Sequence, residues 1–247
     1  WTKKQKKSEG LVLENQKHGN WKYWYNNGQL ESEGEYNKGE RTGNWKYFYK
    51  NGELRLSEDI ENGKSISYFK YPEIKEWEGE IKNGMRHGKW TFWYSDGKLL
   101  SEQYYNEGNI IGEWKYWFSN SKLWKQINNE NGPVIIWDSL GIKLEEWTVA
   151  NGMKNGLYKA YFPNGDLMET IEYIDDNKHG EWKLYHGNGT VAAKGQFDQD
   201  EKAGVWNYYF ENGNKWKNIS QQNGDCEVFY FSGKTKQKYE VKNSEIE

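Results

Sequence analysis

The chain has 247 residues, and its 34 Lys plus Arg stand interleaved with 37 Asp plus Glu, so the net charge of −3 leaves no basic stripe of the kind a nucleic-acid binder needs. No apolar run approaches the ~18 residues of a membrane span. With 27 glycines, 3 prolines and 17% aromatic residues the composition is that of sheet and turn packed by rings, and the single cysteine excludes an internal disulfide without fixing a compartment.

In chain order, Gly10 precedes Trp21 by 11 residues, as Gly34 precedes Trp45, so residues 1–18 read as the tail of an earlier, truncated repeat. Anything before Trp1, a signal peptide included, would lie outside this sequence. The run Lys3 to Lys7 reads as a solvated strand.

The best-formed unit runs from Gly19 to Tyr36 and centres on Asn27-Gly28, a dipeptide suited to a type I′ hairpin turn with positive φ at both central residues. The slot recurs at Asn51-Gly52, Asp96-Gly97, Asn164-Gly165, Asn188-Gly189 and Asn212-Gly213. A two-residue turn sets Tyr25 opposite Leu30, Tyr23 opposite Ser32, Lys22 opposite Glu33 and Trp21 opposite Gly34, with the indole lying across the bare glycine; Trp182 faces Gly195 by the same count. Period-2 alternation then gives two faces. Face A carries Trp21, Tyr23, Tyr25, Leu30 and Gly34, with Leu54, Leu99, Leu123, Leu144 and Leu167 expected on the same side; face B carries Lys22, Trp24, Glu31 and Glu33.

Hairpins are joined by Gly-x-x-x-Gly links such as Gly39 to Gly43, Gly84 to Gly88, Gly108 to Gly112 and Gly152 to Gly156, shortened to Asn62-Gly63, Asn131-Gly132 and Asn223-Gly224 in three repeats. Landmark residues follow these glycines: Trp21, Trp45, Ile66, Trp90, Trp114, Val134, Tyr158, Trp182, Trp206 and Cys226, spaced by 24, 21, 24, 24, 20, 24, 24, 24 and 20 residues. Three places after each stands an aromatic residue: Trp24, Phe48, Phe69, Trp93, Trp117, Trp137, Tyr161, Tyr185, Tyr209 and Phe229. A fixed period of this size is the signature of a repeat architecture. The expectation is an all-β, elongated, single-layer antiparallel meander of about ten hairpins over residues 1–247, one array on the order of 90 Å long at ~4.8 Å per strand.

The pattern Gly-x-Trp-x-x-Tyr-Tyr-x-Asn-Gly-x-Leu, followed by Glu-Gly-x-Tyr-x-x-Gly, is carried by Gly43 to Leu54 and by Gly204 to Gly213. It resembles the variant form of the MORN repeat, over nearly the whole chain with degenerate copies near 64–76, 132–144 and 224–236. The resemblance implies a scaffold that binds proteins or, in some relatives, lipid; bacterial members often carry an antitoxin label. The Trp-Tyr-Tyr-x-x-x-Gly rhythm is also similar to choline-binding and cell-wall repeats, which grip ligands in aromatic cages. Those repeats are nearer 20 residues and place a glycine directly before a second tryptophan, which is absent here.

Candidate chemistry is sparse. His18, His87 and His179 share one slot before Gly19, Gly88 and Gly180, too far apart in a meander to converge on a metal, and His186 is alone. Cys226 occupies a landmark position and reads as a small packed residue. Gly63-Lys64-Ser65 lacks the earlier glycine of a phosphate loop, since Glu58 stands there, and Asp198, Asp200 and Glu201 read as a solvated turn. The pairs Glu31/Glu33 and Glu33/Glu35 face lysine or solvent, and Asn188-Gly-Thr190 and Asn218-Ile-Ser220 matter as sequons only in a eukaryotic secretory setting.

What remains is surface. The aromatic column, Trp24, Phe48, Trp93, Trp117, Trp137, Tyr161, Tyr185 and Tyr209 above all, reads either as a stacking ladder that stiffens the sheet or as a strip that binds a partner. The expected function is a non-catalytic scaffold for protein–protein interaction within a larger assembly, without cofactor or metal. Glycan or choline-like ligands, peripheral membrane contact and antitoxin action are the alternatives. The expected compartment is the bacterial cell envelope, with the cytoplasm as alternative.

Overall fold

The computed structural model describes residues 6–70, 74–221, 223–242 and the backbone of 245–246. All regular structure among them is β, with no helix. Contacts divide the chain into two units, Trp1–Lys122 and Leu123–Glu247. The first holds β1 (Ser8–Leu13), β2 (Gln16–Trp24), β3 (Leu30–Asn37), β4 (Glu40–Phe48), β5 (Leu54–Asp59), β6 (Asn62–Tyr68), β7 (Lys75–Lys82), β8 (Met85–Trp93), β9 (Leu99–Asn106) and β10 (Asn109–Trp117). The second holds β11 (Leu123–Asn128), β12 (Gly132–Trp137), β13 (Lys143–Ala150), β14 (Met153–Tyr161), β15 (Leu167–Ile174), β16 (Asn177–Tyr185), β17 (Val191–Asp198), β18 (Glu201–Tyr209), β19 (Lys215–Ser220), β20 (Gly224–Phe229), β21 (Thr235–Lys242) and β22 (Glu245–Ile246). Within each unit every strand pairs antiparallel with the next in sequence, the simplest meander.

The two kinds of turn are exchanged relative to the sequence expectation. At Asn27-Gly28 only the glycine has positive φ, and Tyr25 N–H donates to Gln29 O while Gly28 N–H donates to Tyr25 O. That is a three-residue loop, a type I turn closed by a glycine bulge. The asparagine serves through its side chain, Asn27 Oδ1 accepting from Gln29 N–H at 3.1 Å. The type I′ turns lie at the other end of the strands, where Lys38 and Gly39, or Asp175 and Asp176, both take positive φ between directly paired residues. The added loop residue moves the register by one, so Leu30 faces Trp24 instead of Tyr25. Leu54, Leu99 and Leu167 likewise face Phe48, Trp93 and Tyr161 and do not belong to face A.

The expected pairs Trp21–Gly34, Tyr23–Ser32, Lys22–Glu33 and Trp182–Gly195 are present as backbone partners. The ring over each glycine comes from the following repeat. A Cβ on Gly34 would stand 2.3 Å from Trp45 Cδ2, and Trp206 covers Gly195 in the same way, while Trp21 covers Gly10. The cause is a bulge: pairing passes from Glu33–Lys46 to Glu35–Thr42, so Gly34 faces three residues, Gly43 to Trp45. Gly43, at φ 62°, supplies the left-handed backbone this needs. Gly19, Gly88 and Gly180 are the same bulge glycines, so His18, His87 and His179 sit within strands rather than in turns.

Face A is the packed side of each unit. Trp45 and Trp206 are fully buried, and Trp21, Trp90 and Trp114 nearly so. Each indole meets rings on both sides; Trp45 lies 5.1 Å from Tyr36, edge-on, and 6.2 Å from Tyr47. The indole N–H groups of Trp21, Trp45, Trp90 and Trp114 each donate to a carbonyl ten residues earlier, satisfying both groups. Cations four residues before the landmarks cap the rings from outside: Lys17 over Trp21 at 4.7 Å, Arg41 over Trp45 at 4.5 Å, Arg86 over Trp90 at 4.4 Å and Lys202 over Trp206 at 4.3 Å.

The degenerate repeats keep this packing by exchanging volumes. Val134 pairs with Trp147, and Cys226 with Tyr239, so a small landmark meets a ring where a tryptophan would meet glycine. Cys226 is fully buried and its Sγ accepts from Ser220 N–H at 3.1 Å, as Ser65 Oγ accepts from Asp59 N–H at 3.2 Å. Ser65 also pairs with Gly79. The third landmark is therefore Ser65 and not Ile66, and the third column residue is Tyr68 and not Phe69.

Candidate functional site

The column lies at the last residue of each hairpin's first strand, on face B. In the first unit it comprises Trp24, Phe48, Tyr68, Trp93 and Trp117, and in the second Trp137, Tyr161, Tyr185, Tyr209 and Phe229. All ten side chains are half-buried. Successive rings within a unit are one hairpin apart, ~10 Å for two strands. Neighbouring hairpins are pinned at this end: Tyr25 Oη donates to Phe48 O at 2.8 Å, Tyr49 Oη to Tyr68 O at 3.0 Å and Tyr94 Oη to Trp117 O at 2.8 Å. His186 Nε2 makes the same link to Tyr209 O at 3.0 Å. The lone histidine is a rung of the frame, not a ligand. Among the described residues no three His, Cys, Asp or Glu side chains converge as a metal site.

No column ring meets another aromatic ring among the described residues; most ring contacts run through the landmarks on face A, with a further group of Tyr208, Phe210, Trp216 and Phe231 in the second unit. The column is not a stacking ladder. Its rings pack across the strand pair against Leu30, Leu54, Leu99, Leu167 and Val191. Four column rings, three of them also in these pairs, lie under a lysine: Lys6 over Trp24 at 5.4 Å, Lys75 over Trp93 at 5.6 Å, Lys143 over Tyr161 at 5.6 Å and Lys194 over Tyr209 at 6.0 Å.

Charged pairs flank the rings two to four residues away, among them Lys22–Glu33 at 3.3 Å and Lys89–Glu102 at 2.5 Å. The densest set surrounds Glu146, which accepts from Lys143 Nζ at 2.6 Å, Tyr161 Oη at 2.5 Å and Lys159 Nζ at 3.1 Å. Burial pushes its carboxyl up, but these hydrogen bonds and the Lys143 charge outweigh burial and hold it at about 2. Tyr161, partly desolvated and bonded to that carboxylate, is raised to about 12. Glu146 is thus an anion, and Tyr161 a neutral phenol, throughout the physiological range. Glu31 departs from the face expected of it, lining a face A cleft with Ser32 because the turn bulge rotates it over.

Sequence matching adds the family. The model of the MORN repeat variant matches residues 17–38, 41–59, 86–107, 154–175 and 178–199. Five of the repeats are MORN-variant repeats. Each matched MORN segment covers one landmark, its turn and the return strand, and β6–β7, β10–β13 and β18–β21, which carry the landmarks Ser65, Val134 and Cys226 as well as Trp114 and Trp206, lie outside the matches. No curated protein is significantly similar. Among solved structures the chain is similar to one described as the crystal structure of TcdB2-TccC3, at 10% identity over 97% of this chain and 16% of that one, with a TM-score of 0.18. A second, TcdB2-TccC3-Cdc42, shares 10% identity over 97% of this chain and 18% of that one, with a TM-score of 0.16. The chain spans less than a fifth of either, and likeness at that level carries no argument.

Proposed function

We propose that the chain is a non-catalytic MORN-type scaffold that docks a partner protein along face B, as one part of a larger assembly. The observation that carries this reading is the column itself: a half-buried aromatic at the same place in every hairpin, with no aromatic neighbour to account for it. The clusters of ring on ring run mostly on the other face, whereas the column rings have only aliphatic residues and lysines beside them and keep exposed surface for a partner. Rigid rings between aliphatic residues and paired charges have the make-up of a protein interface, with apolar anchors inside a polar rim. A choline-like ligand fits less well, because Lys6, Lys75, Lys143 and Lys194 already occupy ring faces that would take its cation.

The test is the double variant Trp93→Ala, Trp117→Ala, purified from the native source with whatever accompanies it. The reading expects a folded protein, by near-ultraviolet circular dichroism, that has lost its co-purifying protein. Retention of that protein at wild-type stoichiometry would overturn it.

A further inference from the structure

On face A of the first unit, opposite the column, two cations bond phenol hydroxyls and a third stands beside a phenol ring. Lys17 Nζ donates to Tyr23 Oη at 2.7 Å, the hydroxyls of Tyr23 and Tyr36 lie 3.2 Å apart, and Arg41 Nη1 donates to Tyr47 Oη at 2.8 Å. The guanidinium groups of Arg41 and Arg55 stand 5.9 and 5.8 Å from the Tyr47 ring. These groups border a cleft of about 420 Å³.

Its cations lack the direct ion pairs that face B has. None of the three cations has a carboxylate within 4 Å among the described residues, whereas Lys22, Lys89 and Lys159 each do. The acids farther off are Glu31 on the lining, Glu58 beside Tyr47, and Glu76 and Glu53 beside Tyr49, so the cations are balanced at a distance but unpaired at contact. Arg41 engages Tyr47 and Tyr36, and the Arg55 guanidinium makes no hydrogen bond to a described residue. Burial would raise the hydroxyl of Tyr36, yet hydrogen bonds with Tyr23 and Arg41 and the charge of Lys17 bring it below the usual phenol value, while burial keeps Tyr23 and Tyr47 above it.

We propose that this cleft binds a phosphate monoester carried on an organic group. Two guanidinium forks and an ammonium around phenol donors suit a dianion with several acceptor oxygens. The volume exceeds what a bare phosphate fills, which leaves room for the organic group beside it. The phosphate source is either a soluble phosphorylated compound or a lipid headgroup, and the probes separate the two.

Isothermal titration is run with phenyl phosphate, with inorganic phosphate, and with phosphatidylcholine vesicles with and without phosphatidic acid. Phenyl phosphate should bind saturably, more tightly than inorganic phosphate, and Arg55→Gln and Arg41→Gln should each weaken it roughly tenfold or more, the loss expected for one charge-assisted hydrogen bond. Arg55→Gln should leave folding unchanged, since the Arg55 guanidinium makes no hydrogen bond to a described residue, so a fold defect in Arg41→Gln would not decide the matter alone. Tighter binding to phosphatidic acid vesicles with the same Arg55 dependence assigns the phosphate to a headgroup and supports the cleft. Absence of saturable binding to all probes, or binding unaltered in Arg55→Gln, overturns the proposal.

Discussion

Replacing Gly34 by alanine tests the packing on which everything else hangs. Its φ lies outside the left-handed region, so the backbone accepts alanine, and on that ground alone the change would stabilise by about 0.4–1 kcal/mol through the unfolded chain. The new Cβ, however, would stand 2.3 to 2.6 Å from three atoms of the Trp45 indole. An ordinary contact requires the ring to retreat by about 1 Å. It has little room, being fully buried between Tyr36 and Tyr47 beneath Arg41. Overpacking of this kind costs about 1–3 kcal/mol, and strain on the bond from Trp45 Nε1 to Glu35 O adds about 1 kcal/mol. The net is a loss of about 2–3 kcal/mol confined to neighbouring strands. Gly187→Ala is the control, because nothing lies within 4 Å of its Cβ position and its φ is also ordinary. Hydrogen exchange read by mass spectrometry suits a repeat array, which need not unfold as one unit. Peptides from β3 and β4 should exchange roughly 30- to 150-fold faster in Gly34→Ala, and Gly187→Ala should be unchanged or slowed a few-fold. If Gly34→Ala exchanges as slowly as the wild type, the indole does not sit where the argument needs it.

Two titrations probe the charged groups. Glu146 is held at about 2 against the ordinary 4.5, so its contribution to stability is complete above pH 4.5 and is lost as pH falls towards 2. Carbon-13 NMR should find its midpoint near 2, and Glu146→Gln should lose less stability than the wild type across that window; a midpoint near 4.5 contradicts the three hydrogen bonds. Tyr47 is raised to about 12 by burial, with the charge and hydrogen bond of Glu58 adding to it, so its contribution is complete below pH 10 and is lost as pH rises towards 12. The difference in 295 nm absorbance between wild type and Tyr47→Phe should titrate near 12, and a step near 10 would show an exposed phenol.

The period and its glycines made the hairpins, their order and most strand pairs legible, because a 24-residue repeat of one supersecondary unit has few ways to pair. Turn type was not legible at Asn27-Gly28. The dipeptide serves either a two-residue loop or a type I turn with a glycine bulge, and the choice rests on Tyr25 N–H finding Gln29 O, a contact between residues that look alike in both registers. That single residue moved Leu30 across the sheet and Glu31 with it. Ile66 fits the third landmark by spacing, whereas a buried serine two places after Gly63 fills the slot by accepting a backbone N–H. The direction in which Trp45 leans is set by the bulge opposite Gly34, which alternation alone does not encode. The capping cations have a readable sign in the lysine or arginine four residues before most landmarks, but spacing alone does not place them over the rings.

The most direct test of the docking strip places a photo-cross-linking phenylalanine analogue at Phe48 or Tyr161 on face B, and at Glu31 or Arg55 on face A, in the protein expressed in its native host. The account predicts a discrete protein adduct from the two column positions and none from the face A positions. Adducts from Glu31 or Arg55 with none from Phe48 and Tyr161 would contradict it.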